Sequence, residues 1–187
     1  MKKRIYIVHG YKANAFDHWF SFIKKSLENT QVCVNIVQLP NSDNPNLSVW
    51  INCLKDNISN INENTLIIAH SLGCISTLNF LQNENFISLG GLALVSGFYE
   101  RLDPIPELDK FIDETRKDFY FSNKIIKKIV FLSNNDSYVP PILSLRLAKK
   151  LNSPYEIMES AGHFLSADGY DEFIELLNWV KEEFIDC

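Results

Sequence analysis

The chain has 187 residues, 46% of them apolar, and a formal net charge of −5. That length suits a single domain with a sizeable core, and the absence of a Lys/Arg stripe with interleaved aromatics argues against a nucleic-acid partner. No apolar run approaches the roughly 18 residues of a membrane span, so no membrane association is expected and the protein reads as cytoplasmic.

The first predicted strand is about Arg4 to Val8, closing on His9-Gly10-Tyr11. The basic residues before it imitate a signal peptide, but the apolar run stops at His9, too early for an h-region. Phe16, Trp19, Phe20, Ile23 and Leu27 then fall on one helical stripe that includes His18 in its span. A second strand runs near Val32 to Leu39 and stops at Pro40. Leu47, Trp50, Ile51, Leu54 and Ile58 repeat the helical spacing. The third strand, Thr65 to Ile68, leads directly into Ala69-His70-Ser71-Leu72-Gly73, and a helix follows to about Asn83.

A fourth strand, Leu89 to Val95, ends at Ser96-Gly97. Residues 98–123 form the longest connection, with Pro104, Pro106 and a predicted helix from Leu108 to Phe119. The fifth strand, Lys128 to Leu132, ends at Ser133-Asn134-Asn135-Asp136. Pro140-Pro141 open a helix carrying Leu143, Leu147 and Leu151, proline being well suited to a first turn. The sixth strand, Tyr155 to Met158, ends at Ser160-Ala161-Gly162-His163, and Phe173, Leu177, Val180 and Phe184 mark the last helix. Strands thus alternate with helices throughout, and most strands are continuous apolar runs, as when both faces are covered. The expected fold is α/β: one domain spanning 1–187, with a doubly wound, mostly parallel six-stranded sheet. The four cysteines, Cys33, Cys53, Cys74 and Cys187, have no zinc-like or C-x-x-C spacing; the first three read as small buried hydrophobes, and terminal Cys187 has no assigned role. The many asparagines suggest no function.

The pentapeptide around Ser71 sits where a strand turns sharply into a helix, the context of a nucleophile elbow. Such a string recurs by chance in roughly one chain in seven of this length, so the flanking strand and helix give it its weight. Residues 69 and 73 should crowd each other, and both are small. Ala69 departs from the usual G-x-S-x-G. A serine hydroxyl needs a base. His163 lies in a Gly-containing loop from which an imidazole can reach back; its bland reading is a surface histidine. His70 should point away from Ser71, and His9 should shape the first loop. Asp136 is the preferred carboxylate to orient the base, against helix capping as its bland reading and Glu100 or Asp103 as rivals. Asp168 and Glu159 read as capping or surface residues. The backbone amides of Leu72 and Tyr11 would form the oxyanion hole, with Gly10 permitting the turn beside them. Trp19, Phe98, Tyr99, Tyr138 and Phe164 are candidate pocket walls.

Taken together, Tyr6-Ile7-Val8-His9-Gly10-Tyr11, His18-Trp19, the Ser71 pentapeptide, Leu94-Val95-Ser96-Gly97-Phe98 and Gly162-His163-Phe164 resemble the α/β-hydrolases. Within them the chain resembles the small YdeN-like, retinoblastoma-binding serine hydrolases, where alanine at the first elbow position is typical. The resemblance covers nearly the whole length. It implies Ser71 as nucleophile, Asp136 as acid and His163 as base, with no cofactor. It also implies a sheet order of 2-1-3-4-5-6 with Ser71 at the switch point, and at most a small flap from 98–123. The expected substrate is a small ester, thioester or amide cleaved through an acyl-enzyme. A protein partner is not indicated. The alternatives are a non-catalytic interaction module on the same fold, or a cofactor-free lyase or transferase using the same three residues.

Overall fold

The computed structural model describes residues 2–186; Cys187 lies outside them. Six strands, β1 (Lys3–Val8), β2 (Val32–Val37), β3 (Thr65–His70), β4 (Leu89–Val95), β5 (Ile125–Ser133) and β6 (Tyr155–Met158), form one sheet. Its order is β2-β1-β3-β4-β5-β6, with every neighbouring pair parallel. The fold is the expected one, and the chain reverses its direction of travel across the sheet between β1 and β3.

Side chains alternate across each strand and so feed two cores. Tyr6, Val8, Ile67, Ala69, Leu92, Leu94, Val130 and Leu132 share one. It is covered by α2 (Leu47–Asn57), α3 (Leu72–Asn83) and α5 (Pro141–Leu151). Ile5, Ile7, Leu66, Ile68, Ala93, Val95, Ile129 and Phe131 share the other, under α1 (Phe20–Leu27) and α6 (Ile174–Val180). Because both faces are packed, β3 and β4 are buried at every position, and the only polar side chains in them are Thr65 and His70 at the two ends of β3. The helix after Ser71, α3, is buried from Leu72 through Leu81, and two of its polar residues, Ser76 and Asn79, bond back to the carbonyls of Leu72 and Ile75.

The structure departs from the expected elements in three places. The first helix starts at Phe20, and Phe16 is 84% exposed instead of lying on its stripe. Asn14 and Asp17 bond to each other, the Phe16 amide donates to Asn14 Oδ1 at 2.9 Å, and His18 takes φ 52°, so no helix can begin earlier. The helix expected over 108–119 shrinks to α4 (Asp109–Asp113), flanked by 3₁₀ turns at Pro106–Leu108 and Tyr120–Lys124. Thr115 Oγ1 bonds the Ile112 carbonyl, Asn79 Oδ1 captures the Arg116 amide at 2.7 Å, and Phe119 turns to φ 35°. Each ends helical propagation. Strand β5 begins three residues before the expected Lys128, at Ile125, because Ile125 and Lys127 already pair with Leu89 and Gly91 of β4, while the Lys128 side chain reaches out to the carbonyls of Ser122 and Leu151. Among the cysteines Cys74 is buried as expected, Cys53 is partly buried and Cys33 is exposed, facing outward on β2. Among the described residues no helix is long and apolar enough to cross a membrane.

Candidate active site

His9, Ser71, Asp136 and His163 sit beyond the carboxyl ends of the strands, where parallel sheets place their ligand sites. Ser71 joins β3 to α3 at φ 53°, ψ −125°, a conformation costly for a non-glycine residue. The Ser71 amide donates to the Val95 carbonyl at 2.9 Å, which helps to hold it there. The small residues around it are required for a different reason from the one expected. A Cβ on Gly73 would lie 2.4 Å from the His9 carbonyl oxygen and 2.9 Å from that of Val8. Strand β1, more than Ala69, imposes the glycine.

His163 Nε2 lies 2.9 Å from Ser71 Oγ, and His163 Nδ1 lies 2.7 Å from Asp136 Oδ2. The three residues expected to act together form one hydrogen-bonded line, each at most 8% exposed. Asp136 Oδ1 accepts from the amides of Tyr138 and Val139, both at 2.9 Å, and Oδ2 also accepts from Ser96 Oγ at 2.7 Å. Burial alone would raise this carboxyl. The hydrogen bond and charge of His163, with the Val139 and Ser96 donors, outweigh it and hold the acid below its ordinary value. Asp136 is therefore a carboxylate with every lone-pair direction engaged. Glu100 pairs instead with Arg146 at 2.9 Å and does not approach His163.

The loops that carry Asp136 and His163 are tied together by the asparagines that suggested nothing in the sequence. Asn135 Oδ1 accepts the Gly162 amide at 2.8 Å, and Asn134 Oδ1 accepts that of Ser160 at 2.9 Å. Asp168, read as a capping residue, accepts the amides of His163 and Leu165 at 2.8 and 3.1 Å. Gly162 lies at φ 55°, and a Cβ there would come within 2.3 Å of the Asp168 carboxyl carbon. His70 does not simply point away: its Nε2–H donates to the His163 carbonyl at 2.8 Å, so it supports His163 from below. Ser96, Asn134, Asn135 and His70 were the residues missed. Their common signal was position, each lying just after a strand or, for His70, at its end.

Ser71 and His163 open on a cleft of about 320 Å³ lined also by Tyr11, Lys12, Ala13, His18, Pro104, Ile105, Glu107, Leu108, Tyr138 and Leu165. Part of the 98–123 connection therefore forms one wall. Of the expected wall residues only Tyr138 lines it. Trp19, Phe98 and Phe164 are fully buried core, and Tyr99 packs near Phe119. A second cavity of about 270 Å³ lies beyond Tyr11, Glu107 and Leu108 and contains none of the three aligned residues. The loop after β1 presses on the elbow: a Cβ on Gly10 would stand 3.3 Å from the Leu72 amide nitrogen. Lys12 spends its own amide on Ser42 at 3.0 Å, while the Leu72 amide belongs to a helical first turn, which lacks internal acceptors. Among the described residues no group of three His, Cys, Asp or Glu side chains is placed to hold a metal ion.

A family model described as serine hydrolase matches residues 5–182. The chain belongs to the serine hydrolase family. It is 35% identical over 175 residues to the YdeN protein of Bacillus subtilis (strain 168), covering 91% of this chain and 90% of that one. The crystal structure of the ydeN gene product from B. subtilis superposes with a TM-score of 0.92 at 32% identity, over 98% of this chain and 99% of that one. The fold alone is shared with Est1E of Butyrivibrio proteoclasticus, at a TM-score of 0.72 and 14% identity over 99% and 88% of the two chains.

In this serine hydrolase three imidazoles are kept from charging chiefly by burial. His9 and His18 are lowered and His70 is lowered well below the ordinary value. The Gly10 carbonyl partly opposes this at His9, and Asp17 partly opposes it at His18. Below about pH 6.5 the unfolded chain takes up protons on these rings, while the folded chain takes them up only at lower pH. Stability is therefore fully present above that pH and is lost as pH falls through the window. Each ring that stays neutral contributes up to about 1.4 kcal/mol per pH unit. Urea unfolding at pH 7.5 and 5.5 should show a clear drop in midpoint at the lower pH. An unchanged midpoint would show that the rings protonate equally in both states.

Proposed function

We propose that this serine hydrolase cleaves a carboxylic ester, thioester or amide of a small substrate through an acyl-enzyme on Ser71. The observation that carries the reading is the unbroken line Ser71 Oγ, His163, Asp136, with 2.9 and 2.7 Å contacts and a cleft at its open end. Asp136 holds the proton of His163 on Nδ1, which leaves Nε2 free to accept the Ser71 proton as Oγ attacks the acyl carbon. The tetrahedral oxyanion forms toward the Leu72 and Tyr11 amides. His163 then hands its proton to the leaving group, the acyl-enzyme remains, and the same ring activates a water that releases the acid. No step calls for a cofactor. The cleft, at about 320 Å³, is small, which favours short acyl groups over long lipid chains. Ser71 opens onto it, which a purely adhesive surface would not require.

The test is labelling by a fluorophosphonate, read by intact mass. Wild type should gain one adduct. Ser71→Ala should gain none, and His163→Ala should label at least a hundredfold more slowly. Folded wild-type protein that gains no adduct would overturn the reading.

A further inference from the structure

Ser71, His163 and Asp136 use every polar atom they aim at one another, but a fourth polar side chain in the cleft is not used. His18 was expected inside a helix. It instead lies ahead of α1 at φ 52°, and it lines the same cleft as Ser71. Its Nδ1 accepts the Ser166 amide at 3.1 Å. A nitrogen that accepts carries no proton, and burial opposes the charged ring, so the proton of the neutral imidazole sits on Nε2. Among the described residues Nε2 has no acceptor. The ring packs edge-on against both Phe20 at 5.5 Å and His70 at 5.8 Å, and these contacts with the Ser166 bond fix its orientation. The cost of a left-handed backbone at a histidine is thus spent on holding one oriented N–H donor in the cleft.

The side of the cleft it serves follows from His163. His163 Nε2 must deliver its proton to the leaving atom, so the leaving group lies along the His163 edge. His18 belongs to that edge. It is bonded to Ser166 and packs edge-on against His70, whose ring lies 4.9 Å from that of His163. We infer that His18 is a specificity-determining residue that donates Nε2–H to an acceptor oxygen on the leaving group, selecting oxygen-bearing alcohol portions over hydrocarbon ones. The inference rests on the acyl-enzyme reading above.

Two pairs of isosteric esters test it. Butyl and 2-methoxyethyl acetate differ by a CH₂ replaced with an ether oxygen in the leaving group. Aryl butyrate and aryl methoxyacetate differ by the same change in the acyl chain. Rates are divided by those of alkaline hydrolysis. Wild type should favour the 2-methoxyethyl ester about three- to tenfold in kcat/KM, the worth of one neutral hydrogen bond. His18→Asn tolerates the left-handed backbone and can still accept from Ser166, but its amide is too short to reach substrate. It should lose that preference, leaving the acyl pair as in wild type, and His18→Gln should restore part of it. Fluorophosphonate labelling of each variant separates the two ideas. No labelling of wild type sinks the serine mechanism and this inference together. Normal labelling with an unchanged leaving-group preference, or a change confined to the acyl pair, sinks this inference alone.

Discussion

Replacing Asp136 by asparagine should lower kcat by on the order of 10³- to 10⁴-fold while leaving the protein folded. Asparagine keeps an oxygen for the Tyr138 and Val139 amides, which now bond Asp136 Oδ1 at 2.9 Å. Its NH₂ takes the place of Oδ2, which accepts from Ser96 and His163. The serine hydroxyl can rotate and accept instead of donate. His163 cannot adapt without loss. Its Nδ1 must become an acceptor, so the proton moves to Nε2, and a protonated Nε2 cannot take a proton from Ser71. The defect is therefore one of tautomer. It should appear as a fall in kcat on a short aryl ester and in the rate of fluorophosphonate labelling, with thermal unfolding still cooperative. A loss below tenfold would show that Asp136 serves only to cap its loop.

Gly10→Ala should cost about a hundredfold in kcat, the low end of what loss of one oxyanion donor costs. It offers a side-chain test of a backbone role. Gly10 has an ordinary φ, so its need for glycine is one of space. An added Cβ would lie 2.9 Å from Ser71 Cβ, 3.0 Å from the His70 carbonyl oxygen and 3.3 Å from the Leu72 nitrogen. All three belong to the elbow, which is fixed by β3 and α3, so the loop of residues 9–11 must give way. Its retreat should draw the Tyr11 amide from the place proposed for the oxyanion. Affinity for a trifluoromethyl ketone, which mimics the tetrahedral state, should fall in parallel with kcat. Substrate KM should move little. Unchanged affinity for the ketone would remove Tyr11 from the oxyanion hole.

The architecture could be read from the chain because it is written in local patterns. Apolar runs of strand length alternate with helical stripes, and such alternation leaves parallel, doubly covered packing as the simple way to bury both. Ser71, Asp136 and His163 were legible for a related reason. Each follows a strand, and parallel strands send all such positions to one edge of the sheet. The flaws arose where a contact joins loops distant in sequence. Ser96 and Asp136 are 40 residues apart, and His70 and His163 are 93 apart. No periodicity records those meetings. Asn46 caps α2 through the Val49 amide, whereas Asn135 pins the Gly162 loop, and the two asparagines look alike in one dimension. Gly73 was marked as small, but the neighbour that makes it so, the backbone of β1, appears only once the strands are paired. His18 was expected inside the first helix, but the Asn14–Asp17 turn leaves it ahead of α1, in the cleft. The sequence by itself determined most of the faces that pack into the core, Phe16 and Cys33 being exceptions, and the edge of the sheet at which the candidate site lies, since burial depends largely on local spacing. Only the tertiary structure decided which polar atoms meet there, since a hydrogen bond is fixed to tenths of an ångström by the twist and packing of the whole sheet.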